Sequence, residues 1–316
     1  MRIAMIGLGS IACKAYLPLV ATHQQITPLL CTRNSEKLQA LSQQYRIEET
    51  YQSVAELLAA GVDAVMIHST TDSHFALTKQ FLQAGIAVFV DKPLSYSLAE
   101  SEQLLNLAAQ KNLPLFVGFN RRYAPLIQPL SSIPAVQVLW QKNRVNLPNF
   151  PRVFVLDDFI HLLDGLRYLA PVSETVAHDL QVFSYRQGDK LGALRVQWQS
   201  GDCLLSASMN RLSGMAEERL EFYGFGQGSN DEKSGGKNGG EKWQIENLNR
   251  GYHYRAGTEM RLGFNDWDAT LHKRGFTAML EAWLDAVRLG TSDSARLDDI
   301  RATHALCEQV INKIVL

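Results

Sequence analysis

Apolar and polar positions follow two different rhythms along this chain. In the first part, short unbroken apolar runs alternate with segments whose apolar residues recur at helical spacing. The runs at 2–7, 27–33, 62–69, 86–92 and 113–119 predict five strands, and the segments at 10–21, 35–45, 73–85 and 98–112 predict helices between them. Strands apolar on both sides need helices on both faces, so the pattern implies a doubly wound parallel sheet with right-handed crossovers. Asn34 or Ser35 would cap the second helix and Gly85 would close the third.

After about residue 120 the rhythm becomes a partial alternation. Strands are predicted at 135–144, 176–186, 191–199, 202–211, 218–225 and 241–248, joined by short turns. Such a pattern describes a mostly antiparallel open sheet with one exposed face, carrying helices on the other. Helices are predicted at about 157–169, 269–289 and 298–314. The stretch 226–242 is rich in Gly, Ser, Asn and charge and predicts a mobile loop. The class expected is α/β followed by α+β, with one domain over 1–120 and a second over 121–316.

Composition narrows the function classes. Lys+Arg (31) and Asp+Glu (32) nearly cancel, which argues against nucleic acid or an anionic membrane as partner. Four scattered cysteines without a C-x-x-C pair fit a reduced cytoplasmic setting and indicate neither zinc nor a disulfide framework. No apolar run approaches membrane-spanning length, and the opening run, interrupted by two glycines, reads as a strand and turn rather than a leader.

The end of the first strand reads Gly7-x-Gly9-x-x-Ala12. Gly7 permits a tight turn, Gly9 lets backbone approach a pyrophosphate, and Ala12 lets helix pack against strand. The helix start at Ser10 and Ile11 then offers unpaired N–H donors to the anion. This strand–turn–helix context marks 1–120 as a dinucleotide-binding Rossmann domain. The second strand ends in Thr32-Arg33 rather than an acid, which favours the 2′-phosphate of NADP over NAD, although NAD stays open and Arg33 also reads as a plain surface cation.

Lys92 follows the fourth predicted strand, at the edge where such sheets bind ligands. Pro93 holds it in extended geometry, and an ammonium there would reach the oxygen of a substrate alcohol or carbonyl. Further on, Asp157, His161 and Asp164 share one helix face, opposite Phe159, Leu163 and Leu166. A carboxylate one turn from an imidazole makes His161 a candidate general acid or base, while a helix cap and a surface histidine are the plain alternatives. The basic set Arg121, Arg122, Lys142 and Arg144, with Tyr123, hints at an acidic or phosphorylated compound. No further His/Cys cluster supports a metal.

In order along the chain, "GLGSIA", "HSTTDSH", "DKPL", "VGFNRRYAP" and "DDFIHLLD" resemble the Gfo/Idh/MocA family of NAD(P)-dependent oxidoreductases, the MviM-type subgroup in particular. The family's Glu-Lys-Pro reads Asp91-Lys92-Pro93, and its Asp-x-Gly-x-His carries bulky Phe159 at the glycine. The resemblance implies that Gly7, Gly9, Ser10 and Ile11 hold the pyrophosphate and that Thr32 and Arg33 face the adenosine end. It places Ser69, Thr70, His74, Asp91 and Lys92 along the cofactor. Lys92, Asp157 and His161 become the catalytic set, with Asn120 and Arg121 shaping the substrate side, though "NRR" also reads as a solvated turn. The implied substrate is a sugar or polyol, and the implied assembly a homo-oligomer, dimer or tetramer, through the open sheet. Two alternatives remain: cyclic redox of the kind used by NAD-dependent glycosidases, and a non-catalytic nucleotide sensor.

Overall fold

A computed structural model describes residues 1–170, 179–225 and 239–315. The chain divides into two compact units, Met1–Phe119 with Phe276–Arg301, and Asn120–Gly275 with Ala302–Leu316. The helix Phe276–Leu289 belongs to the first unit although it lies late in the sequence.

The first unit holds six parallel strands: β1 (Arg2–Ile6), β2 (Thr27–Cys31), β3 (Thr50–Tyr51), β4 (Ala64–Ile67), β5 (Ala87–Val90) and β6 (Leu115–Val117). Their order is β3-β2-β1-β4-β5-β6. β4, β5 and β6 are buried at every position, which is why their apolar runs are unbroken. Helices Ser35–Tyr45, Thr71–Gln83 and Leu98–Lys111 lie where the sequence places them, and Asn34, not Ser35, caps the first through a 2.9 Å bond from the Lys37 N–H. Two elements escape the pattern. β3 is two residues long, and the helix Val54–Ala60 is short, although Ser53 and Glu56 form a capping box around its start.

The second unit is an eight-stranded sheet made of β7 (Ala135–Val145), β8 (Gln181–Gln187), β9 (Lys190–Ser200), β10 (Cys203–Ser213), β11 (Glu217–Gly224), β12 (Glu241–Glu246), β13 (Arg250–Arg255) and β14 (Thr258–Leu262). The order is β14-β13-β12-β11-β7-β10-β9-β8, and among the described residues of this sheet only β7 and β10 pair in parallel. Sequence patterning misses β13 and β14, whose positions are mostly half-buried or exposed and so lack a clean alternation. Most of the predicted loop at 226–242 lies outside the described residues.

One face of this sheet is covered by a helical stretch that starts at Pro151, earlier than expected, because proline suits a first helical turn. It runs through a π-helical turn, Val155–Phe159, into Ile160–Leu169. Val138 and Trp140 on β7, Leu205, Ala207 and Met209 on β10, and Leu220 and Phe222 on β11 supply the apolar inward row. A side chain at Gly165 would run into the Trp140 ring, so glycine lets this helix sit close to β7. Phe159 is fully buried against Phe154, and Leu163 and Leu166 are equally buried, so the residue at the family's glycine position is core.

Candidate active site

In the first unit, the glycine turn leaves β1 at its carboxyl end. Gly7 has φ +82°, and a Cβ there would lie 2.5 Å from the Ser69 nitrogen, so only glycine fits. At Gly9 the case differs: a Cβ would meet nothing nearer than the His68 oxygen at 3.9 Å. The protein itself does not require glycine there, whereas a ligand pressed against the backbone would. Helical geometry begins at Ser10, and the Cys13 N–H closes the first turn on the Gly9 carbonyl at 3.1 Å, so the exposed Ser10 and Ile11 amides precede the internal bonds. These residues fit the pyrophosphate of a dinucleotide. Thr32 and exposed Arg33 follow β2 at the same edge, with the Thr32 N–H bonded to the Tyr51 carbonyl.

Lys92 is half-buried just beyond β5, and its backbone is held on both sides. The Lys92 N–H donates to Asp91 Oδ1 at 2.9 Å, and the Asp91 N–H donates to the Ile67 carbonyl at 2.9 Å. The Asp91 carboxylate also takes the hydroxyl of Tyr16. Burial and then the Asp91 charge hold that phenol well above its ordinary range, so it serves as a neutral donor. Next along, the Pro93 carbonyl lies 2.8 Å from Nδ1 of buried His74, whose Nε2 lies 3.1 Å from the Ser69 carbonyl. Lys92–Pro93 is a cis peptide. Ser69 also accepts from Ser73 at 2.6 Å, and Thr70 precedes the helix Thr71–Gln83 as its exposed cap residue.

Sequence reasoning overlooked three residues here. Tyr16 sits in a π-helical turn, Ala12–Tyr16, of the helix after the glycine turn. His68 packs on its ring, centroids 4.1 Å apart, and burial lowers that imidazole to about 3, so it stays neutral. A Cβ on Gly118 would lie 2.9 Å from the Tyr16 hydroxyl and 3.2 Å from Asp91 Oδ1, so glycine leaves room for the pair. π-turns are rare and tend to occur at functional sites, a signal that residue spacing does not carry.

In the second unit, the Val155–Phe159 turn sets Asp157 half-buried and Asp158 buried, and His161 is 8% exposed. Of the three residues expected to share one helix face, Asp164 has protein partners of its own. Buried Asp164 pairs with half-buried Arg122 and accepts from Thr303 at 3.3 Å. The expected substrate-facing cations are also occupied. Arg121 donates twice to Glu218, at 2.6 and 2.8 Å, and both are buried. The Trp140 indole reaches the same carboxylate at 3.1 Å. Asn120 gives its amide to the Arg274 carbonyl at 2.8 Å. Lys142 and Arg144 converge on Asp158, joined by Arg211 at 3.0 Å. These contacts direct the Arg121 guanidinium and the Asn120 amide at protein acceptors.

Burial opposes charge at both acids, but the cations outweigh it: Arg121 brings Glu218 down to about 2, and Lys142 with Arg144 holds Asp158 well below its usual range. Both groups bind protons less readily folded than unfolded. Their stabilisation is therefore present above about pH 4.5 and lost as pH falls toward about 2. Urea midpoints are expected to drop across that window, and Glu218→Gln should flatten part of the slope. Among the described residues, no cluster of three or more His, Cys, Asp or Glu could hold a metal, and no helix is long and apolar enough to cross a membrane.

A parallel β3-β2-β1-β4-β5-β6 sheet with a ligand-ready glycine turn defines a dinucleotide-binding unit of the Rossmann class. Comparison with known proteins agrees. The model of the GFO_IDH_MocA oxidoreductase family, with an NAD-binding Rossmann fold, matches residues 1–119. A crystal structure of a Gfo/Idh/MocA family oxidoreductase from Vibrio cholerae is 37% identical, covers 100% of both chains and superposes with a TM-score of 0.88. The dehydrogenase MviM from Clostridium difficile is 26% identical, covers 99% of each chain and gives 0.86. The YceM protein of Salmonella typhimurium is 29% identical over 293 residues, 91% of this chain and 90% of its own. The chain belongs to the Gfo/Idh/MocA family of oxidoreductases.

Proposed function

We propose that this protein is an NADP(H)-preferring dehydrogenase or reductase acting on a hydroxyl or carbonyl carbon of a sugar-like or polyol substrate. The observation that carries the reading is the pinned lysine loop. β1, β4 and β5 are neighbours in one sheet, so Lys92 stands two strand spacings, roughly 10 Å, from the glycine turn at the same carboxyl edge. The nicotinamide, when bound, supplies or accepts the hydride. Lys92 Nζ would hydrogen-bond the substrate oxygen and stabilise the charge that grows there. His161, oriented by Asp157, would take or return the hydroxyl proton. Asp91, Tyr16 and His74 would keep the ammonium in place. Support for the substrate class comes from relatives that match part of the chain. They include a D-apiose dehydrogenase from Paraburkholderia graminis, 29% identical over 54% of this chain and 50% of its own, and a myo-inositol 2-dehydrogenase from Thermotoga maritima, 27% identical over 60% and 56%.

Two experiments test the reading. Purified protein with reduced cofactor and a panel of sugar and uronate carbonyls is expected to consume the cofactor's near-ultraviolet absorbance. Fluorescence titration is expected to show NADPH bound about tenfold more tightly than NADH, about 1.4 kcal/mol, and Arg33→Ala should erase most of that difference. Equal wild-type affinities would refute the cofactor preference while leaving the redox chemistry standing.

A further inference from the structure

The inward rows of the second sheet end in charge, and the charges do not balance. Lys142 and Arg144 continue the Val138–Trp140 row of β7, Arg211 continues the Met209 row of β10, and Glu218 heads the row of β11. With Arg121, four cations meet two carboxylates, those of Asp158 and Glu218. Counting Asp157 on the adjoining helical turn still leaves the cations one ahead. Arg122 and Asp164 neutralise each other and do not change the tally. A buried surplus of positive charge is costly unless an anion joins it or a cation gives up its proton.

Three features show where that anion belongs. The Arg211 Nε is a buried donor with no partner, while its terminal nitrogens reach the Leu147 carbonyl and Asp158. Phe154 lies 4.7 Å beneath that guanidinium and fixes its plane. Arg144 is the member that opens to solvent: its side chain is 41% exposed, against 5% for Lys142 and Arg211. Its Nε and one terminal nitrogen bond Asp158 at 3.0 and 3.2 Å, so the remaining terminal nitrogen is not used by that carboxylate. Burial, with the Arg121 charge beside it, lowers Lys142 to about 7, so near neutral pH the cluster sheds part of its surplus by releasing a proton.

We infer that Arg144, backed by Lys142 and Arg211, forms an oxyanion subsite, and that the substrate proposed above carries a carboxylate or a phosphate. A guanidinium edge binds either group through paired N–H donors. One bound anion balances the cluster while Lys142 holds its proton, with Asp157 counted. The substrate identity rests on the redox reading, whereas the subsite stands on the charge cluster alone.

Titration calorimetry on the full chain, saturated with NADP at constant ionic strength, separates the two. Glucuronate and glucose 6-phosphate are the anionic probes, glucose the neutral one, and inorganic phosphate the competitor. At least one anionic sugar is expected to bind about tenfold more tightly than glucose, with phosphate displacing it. Which of the two binds identifies carboxylate or phosphate. Arg144→Gln should remove most of the preference and Arg144→Lys should keep part of it. Lys92→Met should leave the preference in place, so a lost turnover in that variant bears on the redox reading only. Equal binding of charged and neutral sugars, no heat from any probe, or an undiminished preference in Arg144→Gln would overturn the subsite.

Discussion

Lys92→Ala is expected to lower kcat by about a hundred- to ten-thousand-fold, the range lost when a positioned acid–base group is removed. Cofactor affinity should change little, because the glycine turn draws on Gly7, Gly9 and the Ser10 and Ile11 amides, and none of these depends on the lysine side chain. The backbone of the loop should survive as well. Asp91 accepts from the Lys92 main-chain N–H, and His74 contacts the Pro93 carbonyl, so both bonds persist with any side chain at 92. The variant is therefore expected to bind NADPH as wild type does and to fail at the chemical step. Stopped-flow turnover and fluorescence titration on one preparation would show the split. Undiminished turnover would remove Lys92 from the mechanism. A nucleotide sensor, by contrast, would keep its ligand response in the lysine variant and turn over no carbonyl in the wild type.

Legibility in the sequence followed burial. β4 and β5 are covered on both faces, so their residues announce strands without knowledge of the rest of the chain. The glycine turn was legible for a similar reason, since its requirements are local: a positive φ at Gly7 and an open side at Gly9. Charged residues behaved otherwise. "NRR" gives no hint that Arg121 closes on Glu218, 97 residues away, because that pairing is created by strand order rather than spacing. Regular helical spacing puts Asp157 and Asp164 on one face, and the π-turn Val155–Phe159 departs from that spacing at Asp157. Asp158 carries no spacing signal of its own, yet Lys142, Arg144 and Arg211 all meet on it.

Asp158→Asn is expected to destabilise the protein by about 3–5 kcal/mol, the loss typical when one partner of a buried ion group is removed. The amide keeps the shape of the carboxylate, so the loss would report charge rather than packing. Lys142, Arg144 and Arg211 would each keep their burial and lose their shared acceptor. The pH dependence gives a signature that a cavity would not produce. Lys142 titrates at about 7 in the folded protein against 10.5 ordinarily, so between those values the unfolded chain holds more protons and stability rises with pH. Without Asp158 the remaining neighbours pull less on that ammonium, and the rise should begin at lower pH. Urea midpoints measured from pH 6 to 9 should therefore show the variant recovering part of its deficit as Lys142 sheds its proton. Lys142→Met combined with Asp158→Leu, which removes both charges, should cost less than Asp158→Asn alone, as expected when an unpaired charge rather than a missing attraction sets the penalty. A loss below about 1 kcal/mol, or a deficit that does not vary with pH, would mean that the cations find other partners and that Asp158 does not hold the cluster together.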